Sequence, residues 1–240
     1  MSESPAAEAA VYLFPVPLSD GTAGRVIPTY NVELIKQIRH FVVENVRSAR
    51  RFLRSVDRDI VIDDLSFTEL SEHTPAADVA AMLAPVEQGQ PIGVLSEAGC
   101  PAVADPGSDL VAEAQRRGIK VVPLVGPSSI LMSLMGSGFN GQSFAFHGYL
   151  PIEAKARTAA FRDMERNIRN HRQTQIFIET PYRNNRLIAE MSEKLPRDLL
   201  LCVASDISGA RESIITLPVA KWRSKNYDYS KIPTIFLLFS

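Results

Sequence analysis

The residues that suggest chemistry begin with GVLSEAGCPAVADPGSDLV (93–111), a stretch that holds three glycines and two prolines. It follows PIGVLS (91–96), a predicted buried strand, and leads into a helix that Asp105 caps. The loop between this strand and this helix is longer than a strand–helix connection requires. Ligands bind in loops beyond the carboxyl ends of parallel strands, so a ligand loop is favoured over a purely structural crossover. It is not a phosphate loop, because the chain has neither GxxxxGK[ST] nor GxGxxG.

Strands and helices alternate along the chain, a pattern typical of parallel βαβ units and an α/β fold. The predicted strands lie at 11–14, 41–45, 59–65, 91–96, 119–125, 143–150, 174–180, 198–205 and 232–239. The predicted helices lie at 46–56, 74–89, 105–118, 127–138, 155–170 and 183–195. A hinge at Gly126-Pro127 separates a disordered tail (1–10) and an N-terminal α/β domain (11–125) from a C-terminal α/β domain (126–240).

The composition excludes several classes of protein. A net charge of -1 argues against a protein that binds nucleic acid through its overall charge. Binding through a local basic patch remains an alternative. Cys100 and Cys202 lie far apart, which argues against a disulfide framework and a structural zinc site, and no metal is predicted. The N-terminal residues lack the basic region and apolar core of a signal peptide, so none is expected, and no apolar run approaches the roughly 18 residues of a membrane span. We therefore expect a soluble, cytoplasmic protein with no membrane partner.

Five segments match, in chain order, motifs that occur together in one enzyme family. They are VVENVRSARRFL, SEAGCPAVADPG, VVPLVGPSS, FAFHGYLP and IFIETPYR. They resemble A-E-D-T-R-x-T-R-K-L-L, S-D-A-G-T-P-x-x-S-D-P-G, V-V-P-L-P-G-P-S-A, F-x-F-E-G-F-L-P and F-Y-E-S-P-H-R of the ribosomal RNA small-subunit methyltransferase I family, in the tetrapyrrole methylase superfamily. The resemblance extends over nearly the whole chain. It implies two α/β domains of the tetrapyrrole methylase type, S-adenosylmethionine in the cleft between them, and a homodimer.

The resemblance also implies which residues bind the cofactor. In the N-terminal half they are Pro17, Leu18, Ser96, Ala98, Gly99, Cys100, Val103, Ser128 and Ser129. In the C-terminal half they are Glu179, Ala204 and Pro233. Simple N-capping of the following helix is an equal alternative for Ser128. Cys100 is not expected to be a nucleophile, because no basic side chain is adjacent in the sequence.

Some motifs depart from the family pattern. The first loop, PVPLSDGTAG, resembles T-P-I-G-N only at Pro17 and Leu18. Glu44-Asn45 replaces Glu-Asp, and Glu97 and Cys100 replace Asp and Thr. Ala204-Ser205-Asp206 replaces Ala-Arg-Glu. Methyl transfer is therefore better supported than any particular acceptor.

Methylation of a hydroxyl group needs a base for the proton, and the candidates are Glu44 and His73. A solvated carboxylate and a surface histidine are the alternatives. Phosphates of RNA could be held by a cluster of four arginines, with a solvated helix face as the alternative. These residues are Arg47, Arg50, Arg51 and Arg54. A second basic helix, at 155–169, is the rival RNA site.

The predicted function is 2′-O-methylation of a ribose in small-subunit ribosomal RNA. Methylation of a tetrapyrrole or another small acceptor is the alternative within enzymes, because one fold can support several functions. A catalytically inactive RNA-binding homologue is the alternative outside enzymes.

Overall fold

The computed structural model describes residues 6–240. The chain divides into an N-terminal unit that ends at Ser128 and a C-terminal unit, Ser129–Ser240. The predicted tail lies outside the described residues at positions 1–5. Of its remainder, Ala10 is fully buried and the Ala7 N–H donates to Gln37 Oε1 at 2.7 Å.

The N-terminal unit contains one five-stranded sheet in the order β3-β2-β4-β1-β5. All four of its strand pairings are parallel, as predicted. The strands are β1 (Val11–Phe14), β2 (His40–Val43), β3 (Ser66–Glu69), β4 (Ile92–Leu95) and β5 (Val121–Pro123). The helices are α1 (Ala23–Val26), α2 (Thr29–Ile35), α3 (Val46–Val56), α4 (Ala76–Ala81), α5 (Ala84–Glu87) and α6 (Gly107–Arg116). Parallel strands end at the same edge, so the loops after β1, β2 and β4 share one side of the sheet.

Both faces of this sheet are covered. Tyr12 and Phe14 belong to one hydrophobic cluster, whereas Val11 and Leu13 belong to another, because successive strand residues point to opposite faces. Leu53 of α3 packs into the first cluster. Leu110 of α6 packs into the second, so α3 and α6 lie on opposite faces.

Two predictions in this unit are wrong. Residues 59–65 do not form a strand: Ile62–Asp64 is a 3-10 turn, and the strand begins at Ser66. The predicted helix 74–89 is broken into α4 and α5, because Pro85 lacks an N–H and its ring would clash with the carbonyl four residues earlier. Thr74 does not cap a helix but accepts a hydrogen bond from the Ser71 N–H at 2.9 Å.

The C-terminal unit also has a five-stranded sheet, in the order β6-β7-β10-β8-β9. Only the β6–β7 pair is parallel and the other three are antiparallel, so the prediction of parallel units holds here for one pair alone. The strands are β6 (Phe144–Tyr149), β7 (Thr174–Ile178), β8 (Leu200–Ser205), β9 (Ser213–Pro218) and β10 (Thr234–Phe239). The helices are α7 (Ser129–Ser137), α8 (Ala154–His171), α9 (Asn184–Lys194) and α10 (Val219–Trp222).

The core of the C-terminal unit packs α8, α9 and α10 against this sheet. Phe177 and Phe236 stack across the β7–β10 pair with ring centroids 5.8 Å apart. Trp222 is fully buried, and its indole N–H donates to the Leu201 carbonyl at 3.0 Å, which satisfies a polar group that burial would otherwise penalise. Within residues 6–240, no helix is long and apolar enough to cross a membrane.

Candidate functional site

The loops after β1 and β4 are joined to each other by backbone hydrogen bonds. The Val16 N–H donates to the Gly99 carbonyl at 2.9 Å, and the Gly99 N–H donates to the Val16 carbonyl at 3.1 Å. Gly99 has a φ of +76°, in the region that glycine adopts readily, and a Cβ there would lie 3.3 Å from Leu18 Cδ2. The structure therefore brings together Pro17, Leu18 and Gly99.

Side-chain hydrogen bonds hold the loop after β4 on both sides of Gly99. The Ser96 hydroxyl donates to the Ala98 and Gly99 carbonyls, at 3.4 and 3.3 Å. The Cys100 thiol donates to the Pro127 carbonyl at 3.5 Å, which draws the segment before Ser128 to the loop. Burial raises the pKa of Cys100, so its thiol stays protonated at neutral pH. Val103 is about half exposed, at 49%.

Asp105 holds this loop in an unusual conformation. Its Oδ1 accepts hydrogen bonds from the Ala102 and Gly107 N–H groups, both at 2.8 Å. Ala102 and Ala104 have φ angles of 64° and 61°, which cost of order 1–3 kcal/mol each for residues other than glycine. Sequence reasoning identified Asp105 only as a helix cap. The Asp-Pro-Gly turn was the visible signal, whereas nothing in the sequence marks the two strained alanines.

Glu44 lies beside this loop. Its Oε1 accepts a hydrogen bond from the Glu97 N–H at 2.8 Å, and it lines a small cavity together with Asp105. Burial raises the pKa of Glu44, and the nearby Asp105 and Glu97 carboxylates raise it further. Asp105 Oδ2 is buried and has no hydrogen-bond partner among residues 6–240, and burial raises the pKa of this group as well.

His73, the other candidate base, lies in an exposed turn beyond the edge strand β3. Its backbone N–H donates to Ser71 Oγ at 3.3 Å. No hydrogen bond within the described part of the chain joins it to the two loops. The structure thus places Glu44, and not His73, at the loops.

The predicted basic helix is α3. Its first turn is capped by Asn45, whose Oδ1 accepts from the Ser48 N–H at 3.0 Å. Ala49, Phe52 and Leu53 face the core, which leaves the four arginines on the exposed side. Arg50 lies over the Phe67 ring, with its Cζ 5.4 Å from the ring centroid. The other three form no ion pair within residues 6–240; they are Arg47, Arg51 and Arg54.

The three predicted residues of the C-terminal unit lie at one end of its sheet. Glu179 follows β7 and is buried, and its Oε1 accepts from the Thr180 N–H and the Arg183 guanidinium. Ala204 pairs with Ile235 across the β8–β10 ladder. The Pro233 carbonyl accepts from the Asp206 N–H at 3.0 Å. Ser129 is the first residue of α7.

Across residues 6–240, no group of three or more His, Cys, Asp or Glu side chains could hold a metal ion. One further residue was missed because its helix, α2, was not predicted. Asn31 is buried and its Nδ2 donates to the Val125 carbonyl at 2.9 Å, which anchors the segment leading to Pro127.

Comparison with known proteins gives relatives with consistent names. "Ribosomal RNA small subunit methyltransferase I" of Vibrio cholerae is 28% identical over 88% of this chain and 69% of its own length. The proteins of that name from Pasteurella multocida and Streptococcus pyogenes are 32% and 31% identical. These two matches cover 65% and 72% of this chain but 54% and 56% of the relatives, so the chain spans little more than half of their length.

Solved structures show the same fold at low sequence identity. The methyltransferase CobJ matches with a TM-score of 0.63 and 14% identity, over 96% of this chain and 94% of that chain. The conserved hypothetical protein APE0931 from Aeropyrum pernix K1 matches with a TM-score of 0.63 and 13% identity, over 98% and 85%. The predicted α/β fold class is thereby confirmed.

The family model described as "Tetrapyrrole (Corrin/Porphyrin) Methylases" matches residues 31–222, which is most of the chain. This match confirms the resemblance that the five motifs predicted. The chain belongs to the tetrapyrrole methylase family.

Proposed function

We propose that this protein is an S-adenosylmethionine-dependent methyltransferase that methylates a ribose 2′-hydroxyl in small-subunit ribosomal RNA. Family membership and the names of the curated relatives support methyl transfer and this class of RNA. The observation that carries the proposal is the bridge between Val16 and Gly99. It joins the two predicted cofactor loops within one unit, next to a helix with three unpaired arginines.

The loops fit the proposed cofactor. A Cβ at Gly99 would lie 3.3 Å from Leu18 Cδ2 and 3.8 Å from the Pro127 carbonyl oxygen, so glycine lets the loop backbone pass close to both. Backbone groups of Ala98 and Cys100 would hold the cofactor there, whereas those of Gly99 are paired with Val16, and Ser96 fixes the path of the loop. When bound, S-adenosylmethionine supplies a methyl group on a positively charged sulfur. In the C-terminal unit, Glu179, Ala204 and Pro233 are proposed to contribute further contacts.

Glu44 is the proposed base. Transfer of the methyl group would break its bond to sulfur, whose electron pair stays on the sulfur, and form a bond to the hydroxyl oxygen. Glu44 would accept the hydroxyl proton. A carboxylate whose pKa is raised by burial is a stronger base than an exposed one, and the Glu97 N–H fixes its orientation. Positioning of the acceptor supplies a further share of the rate.

Arg47, Arg51 and Arg54 are proposed to bind phosphates of the RNA. They are exposed and unpaired within the described chain, so binding does not first require an internal ion pair to break. As partners we propose small-subunit RNA, in the cytoplasm, and a second copy of this chain. The second copy rests on the family resemblance, and light scattering of the purified protein tests it.

Transfer of a radiolabelled methyl group from S-adenosylmethionine to isolated small ribosomal subunits tests the proposed function. We expect label in the ribosomal RNA, and nuclease digestion should place it on a ribose. Label absent from RNA but present on a tetrapyrrole would favour the small-acceptor alternative. Absence of label despite RNA binding would identify an inactive RNA-binding homologue.

Calorimetry tests the cofactor separately. We expect one molecule of S-adenosylmethionine or of its demethylated product to bind per chain. Replacing Gly99 by Val should abolish that heat, and circular dichroism checks that the variant stays folded. Lack of binding by the folded parent protein contradicts the proposal.

A further inference from the structure

A cavity of about 350 Å³ opens between α3 and the two joined loops of the N-terminal unit. Its inner part is apolar, because Val16, Phe52 and Leu95 are buried there. Its rim is polar. The rim residues are Ser19, Asp20, Ser48, Arg51, Ser55, Ser96 and Glu97. An apolar interior with a few convergent polar groups is the usual form of a small-molecule site, and the volume lies in the usual range of roughly 300–1,000 Å³.

The two walls of this cavity belong to different parts of the proposed machinery. One wall carries Pro17 and Ser96, from the loops proposed to hold the cofactor. The other wall is α3, whose Ser48, Arg51 and Ser55 follow one another at the spacing of a single helix face. Arg51 is therefore both a wall of the cavity and a member of the exposed arginine row.

We propose that this cavity receives a single nucleotide of the acceptor RNA, unstacked from its strand. This inference rests on the proposed function and names its substrate as a nucleotide in single-stranded RNA. A molecule seated here touches the cofactor loops on one side and the phosphate-binding helix on the other. Glu97, whose N–H donates to the proposed base Glu44, lines the same cavity. Enzymes that modify a nucleotide commonly take it out of the stack into such a pocket.

The chemistry of the walls fits this occupant, and the rim carboxylates of Asp20 and Glu97 can accept hydrogen bonds from its hydroxyl and amino groups. A nucleotide combines a flat ring with hydroxyls and an anionic phosphate. These suit, respectively, the apolar interior, the serines of the rim and Arg51. The remaining proposed cofactor residues do not line the cavity; they include Leu18, Ala98, Gly99, Cys100 and Val103. The cofactor is therefore assigned to the adjoining part of the same loops, around Leu18 and Gly99.

Replacing Ser55 by Trp tests the inference, because the larger side chain fills the cavity from α3. Ser192 provides a matched control. Both hydroxyls donate to the carbonyl three residues earlier at 2.7 Å, Ser55 to Phe52 and Ser192 to Ala189, and both lie near the end of an 11-residue helix. Ser192 is in the other unit and does not line the cavity.

The probe is a fluorescein-labelled single-stranded RNA of about ten nucleotides from the small subunit, compared with the same RNA annealed to its complement. We expect the parent protein to prefer the single strand. Ser55→Trp should weaken binding of the single strand by about 5- to 100-fold, the usual effect of losing the binding site of one base. It should also remove the preference for single-stranded over double-stranded RNA. Ser192→Trp should bind like the parent, and neither variant should change the affinity for S-adenosylmethionine.

The outcomes separate this inference from the proposed function. If Ser55→Trp binds single-stranded RNA as tightly as the parent, the cavity is not a nucleotide site, even where methyl transfer to RNA is observed. An equal loss of S-adenosylmethionine affinity would assign the cavity to the cofactor and overturn the inference. If the parent binds RNA with the expected dependence on Ser55 but transfers no methyl group, the inference stands and the proposed function falls.

Discussion

The two basic helices of this protein use their arginines in opposite ways. On α3, Arg47, Arg51 and Arg54 form no ion pair within residues 6–240. On α8, three arginines pair with carboxylates of the same unit. The pairs are Arg157 with Glu190, Arg166 with Asp163, and Arg169 with Glu165 and Asp198. Both helices are rich in arginine, but only α3 leaves most of this charge for a partner.

The carboxylates follow the same division. Burial and neighbouring carboxylates raise the pKa of Glu44, and no cation compensates them among its described contacts. Burial also raises the pKa of Glu190, but hydrogen bonds from Arg157 and Lys194 outweigh it and leave the pKa lowered. Glu44 of the N-terminal unit therefore has no compensating cation at the candidate site, whereas Arg157 and Lys194 compensate Glu190 in the C-terminal unit. Perturbed pKa values cluster at functional sites, and here the raised pKa of Glu44 has no structural ion pair behind it, unlike the lowered pKa of Glu190.

The largest effect is expected at Glu44. Replacing it by Gln should lower the rate of methyl transfer by about 10²- to 10⁴-fold, the usual contribution of a general base. Gln can still accept the Glu97 N–H, so binding of S-adenosylmethionine should persist. His73→Ala is the comparison variant and should keep most of the activity. Loss of rate in His73→Ala with an active Glu44→Gln would reverse the assignment of the base.

Glu44 also has a predicted signature in stability. Because its pKa is raised on folding, the native state binds more protons between pH 4.5 and the raised value, and stability falls as pH rises through that range. Glu44→Gln should flatten this slope in urea titrations. The lowered pKa of Glu190 has the opposite sign, since it contributes stability that is lost as pH falls below 4.5. Equal slopes in Glu44→Gln and the parent would contradict the raised pKa.

The next largest effect is expected at Arg157. Its guanidinium is buried, pairs with Glu190 and donates to the Pro151 and Ile152 carbonyls at 3.0 and 2.9 Å. Arg157→Ala should lower the free energy of unfolding by about 3 kcal/mol. This is the lower end of the usual loss when a buried ion pair is broken, because Lys194 still contacts Glu190. Arg162→Ala, on the exposed side of α8, should change stability by less than about 0.5 kcal/mol. Chemical denaturation measures both, and a stable Arg157→Ala would show that the pair contributes little.

A smaller effect is expected from two arginines of α3. Replacing Arg47 and Arg51 by Ala should weaken RNA binding and reduce its salt dependence by roughly one unit of log–log slope per lost phosphate contact. Arg162 and Arg166 of α8, replaced together, form the matched control and should leave the slope unchanged. The reverse result would move the RNA to α8, and no change in either variant would favour a small acceptor.

The smallest effect is expected at Arg50. Its guanidinium lies over Phe67, so Arg50→Ala should cost about 0.5–1 kcal/mol of stability. It should also change the salt slope less than Arg47→Ala does. The double variant with Phe67→Leu tests the contact, because the two losses should be less than additive. Fully additive losses would show that the two side chains do not interact.

The fold was predictable where local pattern and tertiary packing agree. The strands β1, β2 and β4 are short, apolar and bounded by turn residues, and the sequence located each within a few residues. β3 is an edge strand without an apolar run. The strand was therefore predicted in the preceding and more apolar segment, DIVIDDL (59–65). β9 was missed because its residues, SIITLP, are only half-buried and follow no helix.

The candidate site was predictable only in part. Similarity to a family located the loops, and the structure adds the backbone bridge that joins them within the N-terminal unit. The pairing of arginines could not be predicted, because Arg157 and Glu190 meet only when α8 packs beside α9. The two left-handed alanines lie in a turn held by local hydrogen bonds to Asp105 Oδ1, of which only the Asp-Pro-Gly sequence gives a sign.

The strand order of the N-terminal unit has a consequence for synthesis on the ribosome. β1 lies between β4 and β5, so Val11 must pair with Ile92 and with Val121. At roughly 5–20 residues per second, the first strand waits several seconds for its neighbours. β8 and β9, in contrast, are joined by a short hairpin connection and pair soon after emergence. The N-terminal unit is therefore the slower to complete its sheet, and its apolar β1 stays without both neighbours until residue 121 has been made.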